Sequence, residues 1–246
     1  MRSTYALLAT LLLAGCGSHF KPELYPEPHS LMAASIKAFD RGDPTGARKG
    51  FTRVTLELPQ DDSLVIEAYY YIARCDQKNG EHIEAAREFR RVSDNYPNSW
   101  IAPQALLDAG EAQATLWRAP DLDPTYGQSA LSTFQEVTQR FPGTPAADSA
   151  KTRIVALQDR FALKELDNGN FYARLHAYDS AIIYFRGVVT DYPNSRWVPQ
   201  ALIRLVDTYR KINYDQEAQQ TCAHLEQYYP NAKGLRSACP SDTATS

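Results

Sequence analysis

The 246-residue sequence has no excess of charge, no long apolar run and few cysteines. Its 26 lysine and arginine residues balance 29 aspartate and glutamate residues, which argues against a general nucleic-acid binder, because such proteins present a strongly basic face. No apolar run reaches the roughly 18–20 residues that a membrane-spanning helix needs. The sequence therefore predicts neither a nucleic-acid partner nor an integral membrane protein.

Sequence patterns of catalysis are also missing. There is no Gly-x-Ser-x-Gly, no glycine-rich phosphate loop, no His-Glu-x-x-His and no Cys-x-x-Cys. The five histidines are scattered along the chain, and Asp121 and Asp123 are better explained as a solvated loop with a helix cap than as a catalytic pair. We therefore expect no enzyme, no cofactor and no metal site.

The beginning of the chain has the layout of an export signal. Arg2 supplies a positive charge, an apolar segment follows at residues 5–14, and Leu13-Ala14-Gly15-Cys16 comes next. This ending resembles the lipobox of bacterial lipoproteins, in which the cysteine is acylated and becomes the first residue. The alternative is an ordinary signal peptide that happens to contain a cysteine.

From this layout we predict a lipoprotein signal peptide over residues 1–15 and lipidation at Cys16. Residues 16–28 contain three prolines and no periodic pattern, so we expect an extended tether between the lipid and the folded domain. The residue after Cys16 is not aspartate, and by the sorting rule of enterobacterial lipoproteins this favours the outer membrane.

The remaining sequence repeats one motif five times. In each copy an alanine is followed by a bulky residue four positions on, by Val or Leu three further on, and by proline five beyond that. Steps of four and three place the first three residues on one face of a helix, which the proline then ends. The copies are Ala47-Phe51-Val54-Pro59, Ala85-Phe89-Val92-Pro97, Ala130-Phe134-Val137-Pro142, Ala181-Phe185-Val188-Pro193 and Ala218-Cys222-Leu225-Pro230.

This arrangement resembles the tetratricopeptide repeat, a helix–turn–helix hairpin whose copies bury one another's apolar faces. We predict an all-α tetratricopeptide-repeat solenoid of about five hairpins over residues 29–236, followed by a flexible tail over 237–246. Ten helices are expected, one of them long and covering residues 145–166. Another helix should begin at Pro124, with Asp123 as its cap.

A stack of such hairpins presents a groove lined by the first helix of each hairpin, which suits an extended peptide or a partner helix. Counting back from the prolines gives eight candidates for the groove surface. The alternative is that about half of them pack against the next repeat instead. The candidates are Met32, Ile36, Phe39, Tyr70, Arg74, Gln104, Leu107 and Glu111.

Three cysteines remain beside Cys16. Cys222 and Cys239 lie close enough in sequence that a disulfide would stabilise the fold by about 3 kcal/mol, but spacing alone leaves the pairing open. We expect Cys75 to be a small buried side chain inside a helix.

The lipobox, the proline-bearing tether and the five irregular repeats together resemble the BamD family of outer-membrane assembly lipoproteins. The most specific part is residues 165–193. Its matching residues are Glu165, Phe171-Tyr172, Tyr178, Ala181-Ile182, Phe185 and Tyr192-Pro193.

The resemblance implies a non-enzymatic scaffold of the β-barrel assembly (BAM) complex, anchored by lipid to the periplasmic face of the outer membrane. It implies partnership with the barrel protein BamA, with other BAM lipoproteins and with unfolded outer-membrane proteins. Arg174 and Arg186 are the candidates for the partner-docking surface. The alternative is another periplasmic tetratricopeptide-repeat lipoprotein of Tol–Pal type, but that family begins with a coiled coil, which residues 17–60 lack.

Overall fold

The computed structural model describes residues 20–240, where all regular secondary structure is helical and no β-strand occurs. The predicted all-α class is therefore confirmed. The helices are a short 3-10 helix Pro22–Leu24, α1 Pro28–Asp40, α2 Pro44–Glu57, α3 Ser63–Lys78, α4 His82–Asn95, α5 Ala102–Leu116, α6 Thr125–Arg140, α7 Pro145–Arg174, α8 Tyr178–Asp191, α9 Val198–Lys211, α10 Asp215–Tyr228 and α11 Leu235–Ala238.

The chain divides after Cys75 into two compact units. The first contains α1, α2 and most of α3, with a core that includes the motif residues Phe51 and Val54. Gly42 makes the turn between α1 and α2 with φ +90°, a conformation that favours glycine. Asp43 then caps α2 by accepting a hydrogen bond from the Gly46 N–H at 2.8 Å.

The segment before α1 packs onto the first hairpin. The Phe20 N–H donates to Asp43 Oδ2 at 2.9 Å, Arg53 donates to the Pro22 carbonyl at 3.2 Å, and Pro22 itself is buried. Gly50 makes room for the Phe20 ring, because a Cβ there would lie 2.9 Å from a ring carbon. The predicted extended tether is therefore wrong from Phe20 onward. The signal peptide and Cys16 lie outside the described residues, and the lipidation remains a prediction.

In the second unit, α4 to α10 pack in sequential order, each against the next. The motif phenylalanines Phe89, Phe134 and Phe185 are completely buried. The helices that carry them are followed by the C-cap residues Tyr96, Phe141 and Tyr192, each directly before a motif proline.

Two helix boundaries differ from the sequence prediction. The long helix α7 extends eight residues beyond the predicted end at residue 166, to Arg174. It ends two residues before His176, whose φ of +61° is incompatible with a right-handed helix. The helix α6 begins at Thr125 rather than Pro124, and the Asp123 carboxylate accepts a hydrogen bond from the Thr125 N–H at 2.9 Å.

The end of the second unit is closed by a disulfide between Cys222 and Cys239. The short helix α11 packs against α9 and α10, and Leu235, Ala238 and Cys239 are buried. The predicted flexible tail is therefore wrong for residues 237–239, because Ser237 and Ala238 belong to α11 and both Ala238 and Cys239 lie in the core of the last repeat. Residues 241–246 lie outside the described part of the chain.

Candidate functional site

The groove candidates of the first unit divide into core and surface residues. Met32 and Phe39 are only 3% and 5% exposed and belong to the core around Phe51. The expectation that these two line a peptide groove is corrected, since both lie in the core cluster, where Phe39 packs against the ring of Tyr71 of α3. Ile36 is half-buried at the edge of the same core.

Arg74 lies over a group of aromatic rings in the first unit. Its guanidinium carbon is 4.7 Å from the centroid of Phe39, 5.0 Å from that of Tyr71 and 5.9 Å from that of Tyr70. Burial raises the pKa of Tyr71, although the Arg74 charge works against this. Tyr70 and Arg74 are half-buried, so one side of each supports the core and the other is accessible.

Of the three candidates in the second unit, Leu107 is buried in the core at 6% exposure. It is the third groove candidate to be corrected. Gln104 is exposed and donates to Asp108 Oδ1 at 2.9 Å, while Glu111 accepts a hydrogen bond from Arg153 at 2.5 Å. The assignment of Gln104 and Glu111 as peptide contacts remains a prediction, as it does for Ile36, Tyr70 and Arg74.

Arg174 borders a groove of about 590 Å³ between α7 and α9. Charged side chains of both signs line it: Arg174 and Asp167 from α7, and Arg204, Asp207 and Lys211 from α9. No ion pair forms between any of these five and another residue of the described chain. Their hydrogen-bonding capacity is therefore open to water or to a bound segment.

Arg186 lies on a different surface. It lines a smaller groove of about 270 Å³ together with residues of α9 and α10, among them Tyr209 and His224. Burial raises the pKa of Tyr209, and the positive charge of Arg186 partly offsets that shift. The structure thus places the two docking candidates in separate grooves, so they do not form one site.

The sequence prediction did not single out an aromatic strip on the hairpin of α7 and α8. The ring centroids of Phe171 and Tyr172 are 5.4 Å apart, and those of Tyr172 and Tyr184 are 5.2 Å apart with nearly parallel planes. These three residues form the aromatic strip. Its Phe171 is 49% exposed, and the neighbouring Ile183 is 69% exposed. The sequence does contain a signal for this exposed apolar surface, the pair Ile182-Ile183. Adjacent helical residues point in different directions, so when Ile182 faces the core, Ile183 faces away from it.

Two carboxylates lie next to this strip. A Cβ at Gly187 would be 3.9 Å from oxygens of both Glu165 and Asp191, so the two groups flank the same open position. Burial, and next the charge of Asp191, raise the pKa of Glu165. The hairpin therefore combines an exposed apolar surface with negative charge, a composition that suits a protein partner.

Comparison with known proteins shows which family this chain resembles. A family model described as "Outer membrane lipoprotein" (YfiO) matches residues 109–225, and a tetratricopeptide-repeat model matches residues 67–99. Outer membrane protein assembly factor BamD of Neisseria gonorrhoeae is 29% identical over 71% of this chain and 67% of its own length. The same factor of Caulobacter vibrioides is 26% identical over 92% and 75%, and that of Pasteurella multocida is 29% identical over 91% and 89%. The chain is similar to the BamD family over most of its length.

The outer-membrane lipoprotein model covers the parts of the second unit that carry the docking candidates. Arg174, Arg186 and the aromatic strip all lie within residues 109–225. The groove candidates of the first unit lie outside that match. The BamD-family resemblance and the tetratricopeptide-repeat fold inferred from the sequence are both confirmed.

Among residues 20–240, no helix is long and apolar enough to cross a membrane. In the same range, no group of three or more His, Cys, Asp or Glu side chains is arranged to hold a metal ion.

Proposed function

We propose that this BamD-family chain is a non-catalytic lipoprotein scaffold of the β-barrel assembly complex, which aids the insertion of β-barrel proteins into the outer membrane. The observation that carries the proposal is its similarity, over most of its length, to several proteins named outer membrane protein assembly factor BamD. These relatives favour this role over a Tol–Pal-type coordinator.

In this proposal the second unit docks on BamA and on other BAM lipoproteins. The α7–α8 hairpin supports it, because an exposed aromatic strip lies on the same hairpin as the charged groove at Arg174. Apolar anchors surrounded by polar groups are the usual composition of a protein interface.

The first unit, in this proposal, receives a segment of an unfolded outer-membrane protein. Tyr70 and Arg74 support it, since an aromatic ring and a guanidinium group side by side bind extended peptides through stacking and hydrogen bonds. Acylation of Cys16 completes the proposal by holding the chain on the periplasmic face of the outer membrane. Two or three acyl chains give stable anchoring, whereas one is marginal.

The decisive experiment is crosslinking in intact cells with a tagged full-length chain, followed by mass spectrometry of the captured partners. We expect a barrel protein with repeated periplasmic domains, and Arg174→Glu should reduce its yield. Arg87→Glu makes the same charge change on the exposed face of α4 and should leave the yield unchanged. Recovery of peptidoglycan-linked partners alone would overturn the proposal.

The peptide site is tested separately, by fluorescence anisotropy with peptides from the C-termini of barrel proteins. Tyr70→Ala and Arg74→Ala should weaken binding, whereas Arg87→Ala should not. Because Arg74 also covers the core aromatic rings, each variant is first checked for native circular dichroism. Unchanged affinity in both variants would remove these residues from the site.

A further inference from the structure

The outer face of α2 is basic. Six residues spaced by three and four positions form this face, and each is exposed or half-buried. Three of them are cationic and none is acidic, and at the far end Leu56 is 80% exposed. The basic face consists of Thr45, Arg48, Lys49, Thr52, Arg53 and Leu56.

The segment that leads back to Cys16 runs beside the basic face. Arg53 belongs to the face and donates to the Pro22 carbonyl, while the ring of Phe20 lies against Gly50. Farther back, the Phe20 N–H binds Asp43, which caps the first turn of α2. The chain therefore leaves the fold at the beginning of α2, close to Arg48 and Lys49.

Only residues 17–19 separate Cys16 from the docked Phe20. Four Cα–Cα steps at about 3.5 Å each span at most ~14 Å. An acyl group on Cys16 therefore keeps Phe20 within about 14 Å of the lipid headgroups. This distance is an upper limit, and charges beside Phe20 interact appreciably with charges on the bilayer where the separation falls to the ~8–10 Å screening length of physiological salt.

From this placement we propose that the basic face of α2 docks on anionic phospholipid headgroups of the membrane that holds the lipid anchor. The inference rests on the lipid anchor of the proposed function. A bilayer is the favoured occupant, because the short tether brings it to the basic face whatever else is present. Acidic residues also lie near the face: Asp43 is engaged with two backbone N–H groups, Glu57 pairs with Arg53 at 2.6 Å, and Glu23 follows the Pro22 that Arg53 contacts.

The corresponding face of α4 provides a matched control. The motif alignment places Arg87 and Arg91 of α4 at the positions of Lys49 and Arg53 of α2. Around them the charges are neutralised: Arg87 and Arg91 lie 3.6 and 3.2 Å from Glu88, and Asp94 pairs with Arg140 at 2.7 Å. Removing two positive charges from α4 therefore changes the net charge as much as removing two from α2, but leaves the basic face intact.

The test is the partition of the full mature chain, made non-acylated by Cys16→Ser, between water and vesicles sedimented by centrifugation. The vesicles contain phosphatidylcholine alone or with phosphatidylglycerol. A basic residue at such a surface contributes about fivefold in affinity, so Arg48→Gln/Lys49→Gln should lower partition onto the anionic vesicles about 25-fold. Arg87→Gln/Arg91→Gln should leave it within about twofold. Added salt should weaken binding of the parent chain.

Equal partition of the parent chain onto neutral and anionic vesicles would overturn the proposal, and so would equal losses in the two double variants. Loss of vesicle binding together with capture of a protein on the basic face would assign that face to a protein partner instead. Mass spectrometry of the chain extracted from cell membranes shows whether Cys16 is acylated, and it therefore tests the lipid anchor separately from the basic face. If the chain extracted from cells carries no acyl group on Cys16 while the purified chain still binds anionic vesicles, the anchor is refuted and the basic face remains a lipid-binding surface.

Discussion

Gly169 of α7 lies directly against the ring of Phe185 of α8, so that a methyl group added at Gly169 would overlap the ring carbons. Gly110 of α5 faces Phe134 of α6 in the same way. The motif phenylalanine of these hairpins thus fits because the partner helix carries a glycine opposite the ring. The two hairpin helices approach closely at these points, and the fully buried ring fills the space between them.

Replacing Gly169 by alanine should destabilise the protein by about 1–3 kcal/mol, because the ring of Phe185 is fully buried and has no space to move into. The control is Gly187→Ala in α8, whose new methyl group would have its nearest neighbours at 3.9 Å. That change should stabilise by about 0.5–1 kcal/mol through helix propensity. Urea denaturation measures the unfolding free energy of both variants. A change of the same sign in both would contradict the close contact between Gly169 and the Phe185 ring.

Glu136 links two helices of the second unit and should stabilise it above acidic pH. Its carboxylate accepts hydrogen bonds from Arg90 at 2.8 Å and from Arg140 at 2.7 Å. Burial would raise the pKa of Glu136, but the hydrogen bonds from the two arginines outweigh it and hold the pKa below the ordinary 4.5. A carboxylate with a lowered folded pKa stabilises the fold above its unfolded pKa, and that contribution disappears as the pH falls through the folded value.

Glu136→Gln should therefore cost about 1 kcal/mol of unfolding free energy at neutral pH, a modest value because all partners are partly exposed. The difference from the parent should vanish in acid. Denaturation at a series of pH values tests this, with Glu226→Gln on the exposed side of α10 as the control. A pH-independent loss would mean that the side chain acts through packing rather than charge.

The buried faces of the second hairpin helices were predictable because their periodicity is local. Ala130, Phe134 and Val137 recur at steps of four and three, and all three are fully buried. The first helices were harder, since a groove residue and a core residue have the same spacing. Met32 and Phe39 therefore entered the groove prediction, although both belong to the core of the first unit.

Two further errors arose from contacts between residues distant in sequence. The proline-rich segment has no helical period and was predicted as a tether, yet Phe20 binds Asp43 across 23 positions. The last residues were predicted as a tail, yet the disulfide and the bond from Arg210 to the Ala238 carbonyl fix them to the last repeat. Such docking depends on space left by small residues such as Gly50, which no local pattern reveals.

The disulfide between Cys222 and Cys239 should contribute about 3 kcal/mol to stability, because it closes a 17-residue separation in the unfolded chain. Cys222→Ser/Cys239→Ser should lower the melting temperature by as much as dithiothreitol lowers that of the parent. Dithiothreitol should have no effect on the double variant. A reductant-dependent shift in the double variant would assign the effect to the remaining cysteines, Cys16 and Cys75, instead.

Glu165 should have the opposite pH dependence to Glu136. Burial, and then the charge of Asp191, raise its pKa above 4.5. The folded state therefore binds the proton more tightly than the unfolded state, and this stabilisation is lost as the pH rises through the raised folded value. At neutral pH the ionised side chain is a net cost, because it is half-buried beside another carboxylate.

Glu165→Gln keeps the shape of the side chain and removes its charge, so it should stabilise the protein at neutral pH by less than about 1 kcal/mol. Below the unfolded pKa of about 4.3 the gain should disappear, because the parent is then neutral too. In an Asp191→Asn background, Glu165→Gln should stabilise the protein less, because the Asp191 charge that helps to raise the pKa of Glu165 is then absent. Urea denaturation across the pH range checks all three expectations, and a gain that persists in acid would refute the electrostatic origin.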